Sequence, residues 1–147
     1  MEQTFVMIKP EGVKRRLIGE IIKRFEQKGL YIVNIKVIKP SLELLKEHYS
    51  ELQTKPFFQG LIEWMSSGEV IPMILEGKNA VKIVRKMVGA TNPMEAEVGT
   101  IRSDFACETG KNIVHASDSI LSAEKEIKLW FGEVPNIIHF ENNNLYE

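Results

Sequence analysis

Phe5-Val6-Met7-Ile8 is an unbroken apolar run that stops at Lys9-Pro10-Glu11-Gly12. So short a run before a Pro/Gly turn predicts a strand buried on both faces, which commits the chain to a layered fold covering it above and below. Leu17, Ile18, Ile21, Ile22 and Phe25 follow at i, i+1, i+4, i+5 and i+8, one apolar stripe of a helix that Gly29 stops from its C′ position. Val33, Ile35 and Val37 alternate with Asn34 and Lys36, a period-2 strand with one wet face. Pro40-Ser41 starts a second helix, with Ser41 as N-cap and Leu42, Leu45 and Tyr49 along one side.

Lys55-Pro56 interrupts the pattern before a short helix over 58–65, which Ser67-Gly68 ends. Val70 to Leu75 reads as a strand in which Pro72 needs an edge position or a bulge. Asn79 is expected to cap a helix carrying Val81, Val84 and Val88, closed by Gly89. From Ala90 to Asn112 periodicity disappears, and so long a structureless stretch is either a functional loop or a misread element. Ile113-Val114-His115 forms the fourth predicted strand. Ala123, Ile127, Trp130 and Phe131 mark a last helix, with Glu124 and Glu126 near its positive end. Treating the middle helices as an insertion leaves β-α-β-β-α-β, a ferredoxin-like α/β (α+β) unit with helices packed on an antiparallel sheet.

The length of 147 residues suits one domain over 1–147. Nineteen basic against twenty acidic side chains leave a net charge of −1, which argues against a dedicated nucleic-acid binder but not against a small positive cleft. A single cysteine, Cys107, excludes a disulfide framework and a cysteine-based zinc site. The N-terminus lacks the pattern of a signal peptide, and no stretch approaches the ~20 apolar residues of a membrane span. A cytoplasmic protein is expected.

Familiar nucleotide signatures are missing. Neither Gly77-Lys78 nor Gly110-Lys111 has the partner glycine of a Walker loop, and G-x-G-x-x-G is absent too. His48 and His139 sit in contexts that suggest ordinary structural or surface roles. His115 differs: it ends an apolar strand, opens the polar run Ala116-Ser117-Asp118-Ser119, and follows a loop carrying Arg102.

Two chemistries compete for it. Ser117, Asp118 and Ser122-Ala123-Glu124-Lys125 offer the residue types of acyl transfer, but no G-x-S-x-G elbow accompanies them. Phosphoryl transfer needs an imidazole nucleophile and cations to neutralise phosphate oxygens, and Arg85, Thr91, Arg102 and Asn112 are available as donors. A third reading is a non-catalytic nucleotide- or RNA-binding module on the same fold, although no strand carries the stacking aromatics of the RNA-binding kind. Arg102, placed in a polar loop, is expected to carry little of the core.

Arg102-Ser103-Asp104-Phe105, Asn112-Ile113-Val114-His115-Ala116-Ser117-Asp118-Ser119 and Ser122-Ala123-Glu124-Lys125-Glu126-Ile127 together resemble the signature block of nucleoside diphosphate kinases. The likeness continues through Thr4 to Val13, Ile18 to Gly29, Lys55-Pro56-Phe57-Phe58 and Gly89-Ala90-Thr91-Asn92-Pro93, in the family's order. The resemblance implies a ferredoxin-like subunit that moves the γ-phosphate of a nucleoside triphosphate to a nucleoside diphosphate, by ping-pong through a phosphohistidine and with little base selectivity. It implies Mg²⁺ on the nucleotide phosphates, with no direct protein ligand and Asp118 as a candidate partner through water.

By position, the resemblance makes His115 the nucleophile, with Glu126 and Ser117 orienting its ring. Arg85, Thr91 and Arg102 would hold phosphates, and Lys9 and Asn112 would bond the sugar hydroxyls, Lys9 also assisting the moving phosphoryl group. Tyr49 would line the site, with Phe57 and Leu61 against the base. Core packing beside Phe58 is the competing role for Phe57. Two positions depart from the family's pattern: Ala116 stands where glycine is common, and Thr109 takes a base-facing place where an apolar residue is usual. A homo-oligomer is implied, Pro93 lying in a subunit-contact loop and the tail Asn144-Leu145-Tyr146-Glu147 favouring a hexamer over a tetramer.

Overall fold

A computed structural model describes residues 1–136. Four strands form one antiparallel sheet in the order β2-β3-β1-β4: β1 (Glu2–Ile8), β2 (Tyr31–Ile35), β3 (Ile71–Gly77) and β4 (Val114–Ala116). β1 pairs with β3 from Glu2↔Gly77 to Ile8↔Ile71, and with β4 through Met7↔His115. Phe5, Val6, Met7 and Ile8 are fully buried, as a central strand covered twice requires.

The two faces have separate cores. Val6, Ile8, Met73 and Leu75 meet α2 (Ile18–Gln27) and α5 (Ala80–Val88) through Ile21, Phe25, Val84 and Val88. These are the two crossover helices of the ferredoxin-like unit. Phe5, Met7 and Ile74 meet α3 (Leu42–His48), α4 (Phe58–Met65) and α7 (Ile120–Phe131) through Leu45, Ile62, Met65, Ile127 and Trp130. The inserted helices and the last helix therefore close the second face. Each large apolar side chain so buried contributes about 1.5–3 kcal/mol.

Several local expectations need correction. Pro72 lies in β3, which has neighbours on both sides, and the β2–β3 register irregularity falls elsewhere, between Ile32 and Asn34. Its carbonyl accepts from Lys36 N at 3.1 Å, just past the end of β2, so its missing N–H falls where that ladder is already lapsing. The wet-faced strand stops at Ile35, leaving Ile35 and Val37 exposed. Asn79 precedes α5 in the left-handed region without a side-chain cap; Glu2 Oε1 accepts from Val81 N instead, a capping residue 79 positions away.

Lys9-Pro10-Glu11-Gly12 is more than a turn. Pro10 opens the short helix α1 (Pro10–Lys14), its fixed φ suiting the first helical position. The stretch from Ala90 to Asn112 was a misread element in part: it contains α6 (Ile101–Phe105), whose five residues are too few to display a period. Thr100 Oγ1 caps α6 by accepting from Ser103 N. Glu124 and Glu126 stand beyond the first turn of α7, so its positive end does not hold them. Ser41 caps α3 as expected.

Candidate active site

A cleft of about 1020 Å³ opens beside the end of β4, roomy enough for a nucleotide. Lys9, Tyr49, Phe57, Leu61, Arg85, Thr91, Arg102, Thr109, Asn112, His115, Asp118 and Glu126 all line it. They come from α4, α5, α6, β4, α7 and the segments before α1 and after α3 and between the later elements, which is why no local motif could contain the site. Phe57 is 55% exposed and faces the cleft, whereas Phe58 packs into the second core. The competing core role for Phe57 is thereby excluded.

His115 projects from β4 toward the second core, 5.9 Å from the Phe5 ring centroid. Its Nε2 makes a short hydrogen bond with Glu126 Oε2. The other carboxylate oxygen, Oε1, accepts from Ser117 Oγ at 3.1 Å. Glu126 thus holds one ring nitrogen from behind, leaving Nδ1 as the nitrogen turned to the cleft. Ser117 Oγ is engaged on Glu126, and Ser122 Oγ accepts from Ser119 Oγ at 3.0 Å while Ser119 caps α7 by accepting from Ser122 N. Neither serine fits the acyl-transfer reading.

His48 is the neighbour that sequence reasoning missed. Its ring lies 4.7 Å from His115, and its Nδ1 accepts from Trp130 Nε1 at 3.0 Å. Burial, then the neighbouring His115 and Lys9, push its pKa well below the ordinary value, so it is a neutral wall of the site. Only its adjacency to Tyr49 at the end of α3 could have signalled this. His139 lies outside the described residues.

Arg102 departs from expectation in its burial: on α6 it is 3% exposed. Nη1 donates to Gly89 O at 2.9 Å and Nη2 to Val114 O at 2.7 Å, while Nε has no partner among the described residues. Burial, with Arg85 nearby, lowers its pKa to about 10, so it remains a cation at neutral pH. Arg85 Nη1 donates to Ala116 O at 3.2 Å.

Lys9 Nζ donates to Asn112 Oδ1 at 2.7 Å, and Asn112 Nδ2 donates to Thr91 O at 3.0 Å. Burial brings Lys9 down to about 8; Glu11 opposes this and Arg102 adds to it. Burial raises the Tyr49 phenol, with Glu11 and Glu126 adding, so it stays a donor, and its buried oxygen has no partner among the described residues. Between Asn112 and His115, Ile113 holds φ +76° while Val114 N bonds Asn112 O at 2.9 Å. That is a γ-turn of the rare positive-φ kind, strained for a β-branched residue.

The ligand atoms of His48, His115 and Glu126 lie within 4.8 Å of one another, a spacing a transition metal could use. Each already has a hydrogen-bond partner. Asp118 sits exposed on the rim, its pKa lowered chiefly by the Ser122 hydrogen bond.

An antiparallel ferredoxin-like sheet presenting a carboxylate-held histidine to a cationic cleft is an arrangement suited to a phosphotransferase. The comparisons agree. The family model "Nucleoside diphosphate kinase" matches residues 2–135. A nucleoside diphosphate kinase of Symbiobacterium thermophilum is 58% identical over 134 residues, 91% of this chain and 89% of its own. Nucleoside diphosphate kinase 1 of Glycine max is 52% identical over 99% of both chains. The apo crystal structure of the Encephalitozoon cuniculi nucleoside diphosphate kinase superposes with a TM-score of 0.95 at 52% identity, covering 99% of this chain and 100% of that one. The chain belongs to the nucleoside diphosphate kinase family.

Proposed function

We propose that this chain, acting as one domain, transfers the γ-phosphate of a nucleoside triphosphate to a nucleoside diphosphate through phosphorylated His115. The observation that carries the assignment is the Glu126 bond to Nε2, which puts the ring proton at the back and the Nδ1 lone pair toward the cleft. Nδ1 attacks the γ-phosphorus; an N–P bond forms as the bond to the β,γ-bridging oxygen breaks, and the diphosphate leaves with that electron pair. A terminal oxygen of the second diphosphate then attacks phosphorus and breaks the N–P bond. Glu126 stabilises the Nε2 proton in both halves, and Ser117 steadies Glu126.

Arg85, Arg102 and Thr91 meet the phosphate oxygens, where spread charge calls for fixed cationic donors. Lys9 and Asn112 serve the sugar hydroxyls, and Lys9 also faces the moving group. Tyr49 offers its hydroxyl, unpartnered among the described residues, to the same region. Phe57, Leu61 and Thr109 bracket the base. The cleft suits a nucleotide carrying Mg²⁺, which would neutralise phosphate charge; Asp118, held ionised on the rim, would hold it through water, as Mg²⁺ commonly prefers. Ala116, beside the histidine at the edge of the cleft, is buried and adds only a methyl group there.

We assign the chain to the cytoplasm, in keeping with the absence, among the described residues, of a helix able to cross a membrane. A homo-oligomer is favoured, a hexamer over a tetramer. Met94 and Val98, 84% and 96% exposed beside Pro93, give that loop an apolar contact surface; the tail from Asn144 lies outside the described residues. The test is to incubate the protein with γ-labelled ATP and Mg²⁺ without acceptor, then map the label. An acid-labile, alkali-stable label on His115, discharged by added diphosphate, is expected. Full labelling of His115→Ala removes the mechanism.

A further inference from the structure

Glu11 has no part in the scheme above, yet it is buried behind the site, against Trp64 of its wall. Each carboxylate oxygen serves a different donor: Trp64 Nε1 reaches Oε1 at 2.9 Å, and the Ile113 backbone N–H reaches Oε2 at 3.1 Å. Ile113 is the strained residue of the γ-turn, and such a conformation persists only where its surroundings over-determine it. The start of α1 does so three times over. Lys9 N donates to Ile113 O at 2.8 Å, and Glu11 takes the Ile113 N–H. Gly12 leaves out a Cβ that would lie 3.2 Å from Ile113 O. On one side of this turn is Asn112, tied to Lys9 and Thr91; on the other is His115.

We propose that Glu11 is a positioning residue for the transfer: its shared carboxylate holds the Asn112–Ile113–Val114 turn so that Asn112 meets the sugar while His115 meets the phosphate. The proposal rests on the roles assigned above to those two residues. Two donors converge on Glu11, and only a group that accepts at both oxygens satisfies them. A glutamine must aim its own N–H₂ at one of the two. The indole is itself held in place, with Lys14 Nζ 4.2 Å and Lys111 Nζ 4.3 Å from its ring centroid. The conflict should therefore fall on the turn.

The experiment compares the full chain with E11Q, W64F and E11Q/W64F, reading amide hydrogen exchange at Ile113 and kcat/KM for ribose and 3′-deoxyribose diphosphates. E11Q should expose the Ile113 amide and lower kcat/KM about tenfold for the ribose acceptor, the scale of one buried donor left unpaired. With the 3′-deoxy acceptor, which has no 3′ hydroxyl for Asn112 to meet, its loss should be much smaller. W64F should lose less than about threefold, since Glu11 still holds Ile113. E11Q/W64F should recover most of both readouts, because removing the indole N–H lets the amide oxygen turn to Ile113.

A double variant as impaired as E11Q, or an equal loss on both acceptors with Ile113 still protected, overturns the proposal. Should E11Q not fold, Glu11→Asp takes its place, its shorter carboxylate reaching one donor only. Loss of Ile113 protection there with unchanged discrimination for the 3′ hydroxyl is equally fatal. Labelling of wild-type His115 separates the two levels: its absence sinks the site assignment, whereas its presence with a null Glu11 result sinks this proposal alone.

Discussion

Arg102→Ala separates chemistry from folding, because the structure sets its two consequences on different scales. The truncation removes donors from Gly89 O and Val114 O. Val114 is buried, so its orphaned carbonyl costs about 1–3 kcal/mol; Gly89 is half-buried, and water can replace the lost donor there. Losing the two outer methylenes of the stem costs roughly 2 kcal/mol more. Against this stands the relief of a buried charge: a pKa brought down to about 10, by burial first and Arg85 second, corresponds to roughly 3 kcal/mol of unfavourable environment for the cation. The net is a loss of about 0–2 kcal/mol, or at most ~8 °C in Tm. Turnover should fall far more, by roughly 10²–10³, as when one preorganised donor is removed from a charged transition state. Arg102→Lys, which keeps the charge but not the fork, should fall in between. Thermal unfolding and steady-state kinetics on the same preparation decide the matter. A folded R102A enzyme with near-normal turnover would remove Arg102 from the site, and a Tm drop beyond about 15 °C would refute the charge-relief argument.

Lys9 should set the alkaline limb of kcat/KM: the rate falls as pH rises through about 8, where the free enzyme's lysine loses its proton. Unfolding cannot explain that limb, since a lysine with a depressed folded pKa makes stability rise with pH between about 8 and 10.5. Lys9→Arg should carry the limb beyond pH 10, and an unmoved limb rejects the assignment. Acceptors differing only in base should span less than about a hundredfold in kcat/KM, because rings and methyls stack on any base and a single Thr109 hydroxyl adds only ~1 kcal/mol. The 3′-deoxy analogue should lose more than any base change, as sites built to bond a hydroxyl reject its absence; no penalty would show the sugar contacts misassigned. Glu126→Gln should slow phosphorylation of His115 by roughly 10–10² while leaving nucleotide KM nearly unchanged, since it acts on the ring's proton and orientation and not on the substrate. A rise in KM with unaltered single-turnover rate would count against that role.

The strands and most helices were legible because their patterns are local. Phe5 to Ile8 had to be covered on both faces, and the stripe from Leu17 to Phe25 had to face a sheet. The family likeness named the site residues that periodicity could not, and the cleft gathers all but Ser117, which stands behind it on Glu126. Where expectation failed, the deciding partner was far away in sequence. Pro72 is tolerated because β2 ends beside it, α5 takes its cap from Glu2 and not from Asn79, and Arg102 is buried against the carbonyls of Gly89, at the end of α5, and Val114, on β4. His48 reads as an ordinary structural or surface residue from its helix alone, and Trp130 and His115 make it a wall of the site. Side-chain spacing along the chain determined which elements form and which residue types were on hand for phosphate chemistry. Only the packed tertiary structure decided which polar groups lose water and which donors face them, because desolvation and hydrogen bonding depend on neighbours brought from up to a hundred residues away.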